Sequence, residues 1–487
     1  MMYVLGPALA LLSRIMMAFA FAFWVPMAWA WFEDAEYLLA VWGASFGFTF
    51  LSGFMLMTIT RQHSRELLAR DGFLLVNLVW VVLTAYAAIP LLFTVPDITV
   101  SKAYFEAMSG LTATGATALS GLDDLPMSVN IWRCFLQLIG GLGIMLLVVA
   151  VLPLLGLGGM QLYKAETPGP MKDTKFTPRI SETARGLWIV YFVFSVACML
   201  AYRWAGMSWA DAFMHMCTTM GLGGFSSHDA SFGYWNSPAI ETVAIVFMAL
   251  AGISFLRYFM VVRTMSLRPV ANDREIQVYF MVLVLSVVLV TVLLAFNRVE
   301  EDWVEALRTS AFHVLSLATT TGYAATDYST WPIFVPVFLM FLGTFVSCAG
   351  STGGGIKMVR MVLLVKQARR EMVRIIHPRV VNPVTMGGQA IASSTLTTVL
   401  GFMLIYGAAT LGLTFLMLLT GLDIVTAFSA VVATVNNIGP GLGEVGPASN
   451  YGVLNGFQLW VLSFAMLLGR LELLTVLVLF TGHFWRR

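Results

Sequence analysis

Four polar segments of similar sequence recur along this otherwise apolar chain. They read FEAMSGLTATGAT (105–117), FMHMCTTMGLGGFS (213–226), FHVLSLATTTGYA (312–324) and FSAVVATVNNIGPG (428–441). Each opens on a phenylalanine, and a glycine follows ten or eleven residues later, at Gly115, Gly224, Gly322 and Gly439. Repetition in register at four places indicates four copies of one structural unit.

The composition indicates a membrane protein. Hydrophobic residues make up 59% of its 487 residues and charged residues only 11%, whereas soluble globular proteins carry about 25% charged residues. This excludes a water-soluble enzyme. Ten apolar stretches are long enough to cross a bilayer, and they fall at about 5–30, 37–60, 72–95, 132–157, 185–205, 238–262, 276–297, 332–349 (continuing to about 368), 394–420 and 456–482.

Each repeated segment lies between two of these stretches and consists of a short apolar run followed by a polar loop. The run is too short to cross, so it predicts a half-helix that leads to a loop at membrane depth. Non-helical backbone at that depth is tolerated only where it is buried in protein or lines a water-filled cavity. For one loop, a glycine-rich turn that only packs helices is the alternative. Four copies instead predict loops that converge on one axis.

Such loops suit a cation. Glycine permits positive φ, and a ring of four carbonyl-bearing strands can replace the hydration shell of a potassium ion. Three half-helices have acidic residues near their first turns, namely Asp211, Asp302 or Glu305, and Asp423, which suits a helix N-terminus. Their C-terminal ends, which carry partial negative charge, would then point toward the cation.

The fold prediction is an all-α polytopic membrane protein with four helix–pore-loop–helix repeats around a pseudo-fourfold pore, preceded by two extra transmembrane helices. The extra helices occupy 1–66, and pore repeats 1 to 4 occupy 67–160, 161–268, 269–378 and 379–487. Most of the 28 lysines and arginines lie in segments 61–71, 159–185, 257–274, 357–379 and at the C-terminus. Because positive charge favours the cytoplasmic side, both termini are predicted to be cytoplasmic.

At these residues the chain resembles the Trk/Ktr/HKT superfamily of potassium transporters, most closely its TrkH branch. The shared motifs are TATGAT (112–117), GLGGFS (221–226), TTTGYA (319–324), NNIGPG (436–441), QLIGGLGIM (137–145), KAETPGP (164–170) and GSTGGGIK (350–357). The resemblance implies a homodimeric potassium uptake protein of the bacterial inner membrane that is not an enzyme. It also implies regulation by a cytoplasmic nucleotide-binding subunit of the TrkA type.

Candidate filter residues follow from these motifs. They are Thr112, Thr114, Gly115, Gly223, Gly224, Thr320, Thr321, Gly322, Asn437, Ile438 and Gly439. Six of them are the expected potassium ligands: Thr114, Gly115, Thr321, Gly322, Ile438 and Gly439. In the second loop, spacing from Phe213 leaves Gly223 and Gly224 as rivals, although the Gly-Phe pair of the family favours Gly224.

A second glycine-rich run interrupts the eighth stretch and predicts a gate. Candidate gating residues are Gly350, Gly353, Gly354, Gly355, Lys357 and Arg470. The resemblance implies that the glycines form an intramembrane loop below the filter and that Arg470 meets it. The alternatives are a packing kink for the loop, snorkelling of Arg470 to the interface, and a surface-anchor role for Lys357. Glu472 is at i+2 from Arg470 and so faces elsewhere.

Other function classes fit less well. A broken-helix symporter of another small substrate would need cationic or helix-N-terminal sites at mid-membrane, and a membrane enzyme would need a motif such as HExxH or GxSxG, which is absent. The net charge of +2 disfavours nucleic acid. His215 and His313 are predicted to be packed and hydrogen-bonded rather than proton relays. The sequence leaves open whether transport is channel-like or a symport with H⁺ or Na⁺.

Overall fold

Long apolar helices surround four short ones. The computed structural model describes residues 2–61, 68–146 and 177–485. In these ranges six helices are long and apolar enough to cross a membrane: Leu5–Phe32, Glu36–Thr60, Arg70–Thr94, Glu182–Ala205, Arg274–Phe296 and Ser393–Leu418. Two bent helix pairs bring the number of candidate spans within the described ranges to eight.

The two N-terminal helices pack against the first repeat through aromatic rings. Helix Met2–Ala20 continues through the 3-10 turn Phe21–Phe23 into Trp24–Phe32, and Glu36–Thr60 runs beside it. Phe23 stacks on Trp132 with ring centroids 4.5 Å apart, and Trp42 lies 5.7 Å from Trp132. Trp42 Nε1 also donates to Ser128 Oγ at 3.3 Å. This buried cluster holds the extra helices on the repeat array.

Each repeat contains a helix, a half-helix, a polar loop and a further helix, as predicted. Repeat 1 has Ala69–Thr94, Val100–Leu111 and Met127–Leu146, and repeat 2 has Thr177–Ala205, Trp209–Gly221, Pro238–Ala251 and Phe255–Thr264. Repeat 3 has Arg274–Phe296, Trp303–Ala318, Phe334–Gly343 and Met358–Ile376. Repeat 4 has Ser393–Leu418, Ile424–Val435, Gly456–Arg470 and Leu473–Leu477.

Minor elements lie within the repeats and between them. Short helices cover Arg268–Ala271 and Gly482–Trp485, and 3-10 turns cover Leu122–Asp124, Ser231–Tyr234, Tyr328–Thr330, Gly443–Val445, Tyr451–Val453 and Val478–Phe480. A hairpin of strands Thr385–Met386 and Gln389–Ala390 joins repeats 3 and 4. Its turn residues, Gly387 and Gly388, both have positive φ, as a tight two-residue hairpin requires.

Three predicted spans are not continuous helices. The sixth bends by 82° between Ala251 and Phe255, and the tenth bends by 114° just after Arg470. In the eighth, the helix ends at Gly343, and non-helical backbone continues to Lys357. Continuity to residue 349 was therefore wrong, because the interruption begins before the glycine run. Arg470 is the last residue of its helix rather than a residue inside a longer one.

Some sequence predictions fall outside the described residues. These are the final part of the fourth span (147–157), the repeat boundaries at 66/67 and 160/161, the KAETPGP motif (164–170) and the C-terminal Arg486 and Arg487.

We expect Trp42→Ala to weaken the attachment of the N-terminal helices. The substitution empties a fully buried site and removes the hydrogen bond to Ser128, and large-to-small changes of this kind cost about 3–5 kcal/mol. The melting temperature of the purified protein in detergent should fall. Trp204→Ala is the matched control, because Trp204 is 94% exposed. Equal melting temperatures for the two variants would contradict the anchoring role.

Candidate ion pathway

The four half-helices begin with polar caps and end at the polar loops. Ser208 Oγ accepts from the amide of Asp211 at 3.0 Å, and Asp302 and Asp423 accept from amides in the first turns of their helices. Thr99 caps the first half-helix in the same way. The predicted acidic residues near the first turns are therefore confirmed: Asp302 and Asp423 are the caps themselves, and Asp211 lies in the first turn behind a serine cap.

Every polar loop contains the same pair of left-handed residues, two positions apart. The first of each pair is not glycine and has φ of 50°, 51°, 63° or 53°, and the second is glycine with φ of 82°, 75°, 83° or 103°. Left-handed backbone is unfavourable for a residue with a Cβ atom, so four repetitions reflect a shared constraint. The pairs are Ala113 and Gly115, Leu222 and Gly224, Thr320 and Gly322, and Asn437 and Gly439.

The four loops contact one another in a closed ring. A Cβ atom placed on each left-handed glycine would collide with a carbonyl oxygen of another loop. The distances would be 1.9 Å from Gly115 to Gly223 O, 1.9 Å from Gly224 to Thr321 O, 2.1 Å from Gly322 to Ile438 O and 2.9 Å from Gly439 to Thr114 O. Loop 1 thus contacts loop 2, loop 2 loop 3, loop 3 loop 4, and loop 4 loop 1. We call the carbonyls of Thr114, Gly223, Thr321 and Ile438 the ring carbonyls.

This geometry assigns different positions to the two glycines of the second loop. Gly224 has the left-handed φ of 75° that matches Gly115, Gly322 and Gly439. Gly223 precedes it and bears the ring carbonyl, although the sequence analysis left it out of the expected potassium ligands. The two residues therefore have different positions in one ring.

Side chains of the predicted filter residues bond within the loops and between them. Thr112 and Thr114 hydroxyls lie 2.7 Å apart, and the equivalent Thr319 and Thr321 hydroxyls lie 2.8 Å apart. Asn437 Nδ2 donates to Thr114 Oγ1 at 2.8 Å, which joins loops 4 and 1. All the predicted filter residues thus lie at or beside the ring.

A cavity lies against the ring on the side of the residues that follow the glycines, which we call the mouth side. Its lining includes Gly115, Gly224, Gly322 and Pro440, with His228 and Asp229 farther along. Arg133 also lines it, but its guanidinium lies 2.7 Å from the buried carboxylate of Glu106. The same guanidinium donates to the carbonyl of Ser226 at 3.3 Å.

The Arg133–Glu106 pair was missed by the sequence analysis. Glu106 follows the phenylalanine that opens the first repeated segment, and an acid inside an apolar half-helix was the available signal. The pair bonds both loops, since Glu106 accepts from the amide of Ala118 in loop 1 and Arg133 donates to Ser226 O in loop 2. Glu106 balances the positive charge of Arg133 beside the cation pathway. Removal of one member would leave a buried unpaired charge.

The opposite side of the ring is covered by residues 344–357, which we call the intramembrane loop. Thr352 Oγ1 donates to Met220 O at 2.9 Å, and the amide of Gly354 donates to Thr320 Oγ1 at 2.8 Å. A Cβ atom on Gly354 would lie 2.1 Å from Asn436 O. The loop therefore contacts the C-terminal ends of half-helices 2, 3 and 4.

Arg470 is buried beneath the ring and bonds to backbone carbonyls. Its Nη1 donates to Thr352 O at 2.8 Å, and its Nη2 donates to Gly140 O at 3.1 Å. The guanidinium thus joins the intramembrane loop to the last helix of repeat 1. Snorkelling is wrong, because the side chain is buried. Glu472 pairs instead with Arg360 at 2.7 Å.

The remaining candidates have clear positions. Lys357 Nζ donates to Gly353 O within the intramembrane loop. His215 bonds Asp211 O at 2.9 Å and Ser226 Oγ at 3.1 Å, and His313 bonds Thr309 O at 2.8 Å. Both histidines are fully buried and hydrogen-bonded, as predicted.

The mouth side also holds an ionisable cluster around His228. Its Nδ1 contacts Asp123 Oδ1, its Nε2 lies 3.6 Å from Asp211 Oδ1, and its ring stacks on Tyr234. Burial lowers the pKa of His228, but the hydrogen bonds and charges of Asp211 and Asp123 outweigh burial, so the pKa is raised above 6.5. Folding therefore favours the imidazolium form relative to the unfolded chain.

The chain is similar to known transport proteins over nearly its whole length. A family model named TrkH and described as "Cation transport protein" matches residues 44–487. "Trk system potassium uptake protein TrkH" of Salmonella typhimurium is 44% identical over 435 residues, which cover 89% of this chain and 90% of that protein. "Trk system potassium uptake protein TrkG" of Escherichia coli is 39% identical and covers 88% of each chain.

A solved structure shares the fold. The chain in the "Crystal Structure of the Potassium Transporter TrkH from Vibrio parahaemolyticus" superposes with a TM-score of 0.91 at 37% sequence identity. The match covers 99% of both chains.

The His228 cluster predicts a pH dependence of stability. A raised pKa in the folded state means that protonation stabilises the fold, fully below about pH 6.5 and decreasingly as pH rises through the folded-state pKa. His228→Gln should therefore destabilise the protein more at pH 6 than at pH 8.5, as measured by melting temperature. His483→Gln, at an exposed site, is the control. An equal effect of His228→Gln at both pH values would contradict the prediction.

Proposed function

Because the chain belongs to the TrkH family of cation transport proteins, we propose that it takes up potassium ions through the ring carbonyls. It is a multi-pass membrane transporter, not an enzyme. The observation that carries the proposal is the closed ring, in which each left-handed glycine packs on the carbonyl of another loop. Four carbonyl oxygens around one axis can replace the water shell of a cation.

The half-helices contribute to the same site. Their C-terminal ends lead directly into the ring, and helix C-termini carry partial negative charge. Carbonyl oxygens bear no full charge, and the carboxylate beside the ring, Glu106, is paired with Arg133. Such a site suits a cation that must bind and then leave. The ligands we assign to potassium are Thr114, Gly115, Gly223, Thr321, Gly322, Ile438 and Gly439.

The intramembrane loop is the proposed gate. Its contacts with the ends of three half-helices support this role, since a loop in that position obstructs the path leaving the ring. Arg470 supports it further, because its two bonds connect the loop to repeat 1 and its charge opposes cation passage. Gly350, Gly353, Gly355 and Lys357 belong to this gate through their places in the loop.

The orientation, assembly and partner follow from charge and from the family resemblance. We place the mouth side outside and the intramembrane loop toward the cytoplasm of a bacterial inner membrane, with both termini cytoplasmic. Helix Met358–Ile376 continues from the loop and bears Lys366, Arg369, Arg370 and Arg374. This basic surface suits a cytoplasmic nucleotide-binding subunit of the TrkA type, and the chain would act as a homodimer.

Ion flux into potassium-loaded liposomes tests the filter. The wild-type protein should take up rubidium in preference to sodium. In Gly322→Ser the new side chain meets Ile438 O, and left-handed backbone costs a non-glycine residue about 1–3 kcal/mol. We expect this variant to lose rubidium uptake or its preference over sodium.

Gly407→Ser is the matched control, because no atom lies within 4 Å of its Cβ position. It should retain the rubidium preference. Equal permeation of both ions through the wild-type protein would contradict potassium selectivity.

Shortening the intramembrane loop within residues 350–355 tests the gate. We expect higher basal rubidium flux, because the contacts that cover the ring are lost, while the rubidium preference is retained. Thr352→Val should raise flux less, since it removes only the bond to Met220 O. Thr398→Val, at an exposed helix position, is the control. Unchanged or merely reduced flux per folded protein would count against a gate.

A further inference from the structure

Gln137 lies directly behind the ring, at the start of the QLIGGLGIM motif. Its side chain is fully buried in helix Met127–Leu146. Its Nε2 donates to the ring carbonyl of Gly223 at 2.9 Å, and its Oε1 accepts from the amide of Phe225 at 3.2 Å. One amide group thus bonds both sides of the left-handed Gly224.

The second loop differs from the others at the ring-carbonyl position. Loops 1, 3 and 4 have Thr114, Thr321 and Ile438 there, each with a side chain, whereas loop 2 has Gly223. The backbone of Gly223 does not require glycine, because its φ is not in the left-handed region. Space requires it instead, since a Cβ atom there would lie 2.4 Å from the amide carbon of Gln137.

The Gln137 amide therefore occupies the space that a side chain at position 223 would fill. At the junction of repeats 3 and 4 the glycine is in the helix and the large residue is in the loop. There the side chain of Ile438 fills the space left by Gly343. A Cβ atom on Gly343 would lie 2.6 Å from Ile438 Cδ1. Each of these two junctions is filled by one large residue and one glycine.

We propose that Gln137 is a positioning residue that fixes the Gly223 carbonyl in the ring and thereby determines ion selectivity. This inference rests on the proposed function. A glycine peptide changes conformation at little steric cost, so the Gly223 carbonyl needs an external restraint. Gln137 supplies one through two hydrogen bonds. Within the described ranges, the other three ring carbonyls accept no hydrogen bond.

The bond also makes the ring unequal. A carbonyl oxygen has two lone pairs, so the Gly223 carbonyl can accept from Gln137 and still coordinate a cation. The partial positive charge of the Nε2 donor weakens the field of this carbonyl relative to the other three. Ring geometry and field strength are the two properties on which cation selection depends.

Gln137→Met tests the inference, because methionine is similar in length but makes neither hydrogen bond. We expect the rubidium-over-sodium flux ratio to fall at least about fivefold, as for the loss of one hydrogen bond of about 1 kcal/mol, while flux itself persists. Gln458→Met is the matched control. Gln458 is also a buried glutamine, but it bonds Thr420 and Asn455 at the start of its helix, so its loss should leave the ratio unchanged.

The outcomes separate the two claims. A wild-type protein without rubidium preference contradicts the proposed function, whereas a selective wild type with an equally selective Gln137→Met overturns only the role of Gln137. A ratio that falls equally in Gln458→Met also overturns it. If Gln137→Met does not fold, Gln137→Leu decides, because leucine also fills the space behind Gly223 and makes neither hydrogen bond. A fall in the rubidium-over-sodium ratio supports the inference, and a wild-type ratio overturns it.

Discussion

The packing of each left-handed glycine on the carbonyl of another loop is the constraint on which the rest of the structure depends. It brings the loops so close that no Cβ atom fits between them, and it leaves their backbone groups buried at membrane depth. Lipid cannot satisfy those groups. The half-helices, with their polar caps, position the four loops around one site. The long helices that surround them keep lipid away from the loops.

Buried polar side chains complete this arrangement. Arg133 and Glu106 join loops 1 and 2 on the mouth side, and the threonine pairs bond within loops 1 and 3. Arg470 donates hydrogen bonds to carbonyls on the other side. An unpaired polar group in such surroundings costs about 1–3 kcal/mol, so these contacts fix the loops as well as link them.

The sequence was informative where the signal was local and repeated. The half-helices, the glycine register, the caps at Asp302 and Asp423 and the packed histidines all follow from residue type and spacing. The helix bends after Ala251 and Arg470 do not, because a hydropathy window averages across a short break. The intramembrane loop begins at Thr344, six residues before the glycine run from which it was predicted. The sequence did not reveal this start, because the first residues of the loop are mostly apolar and resemble a helix. The partners of Arg470 and Gln137 are backbone groups, which cannot be recognised from residue type in the sequence.

The ring is built from four unequal quarters of one polypeptide. In a homotetrameric channel one codon change alters all four quarters together, so a favourable or harmful substitution is present at four equivalent positions. Here one codon reaches one quarter, so the ring-carbonyl position can be threonine in loops 1 and 3, glycine in loop 2 and isoleucine in loop 4. Covalent linkage also fixes the order of the quarters. A ring of four different loops is therefore made by one gene and needs no ordered assembly of different subunits.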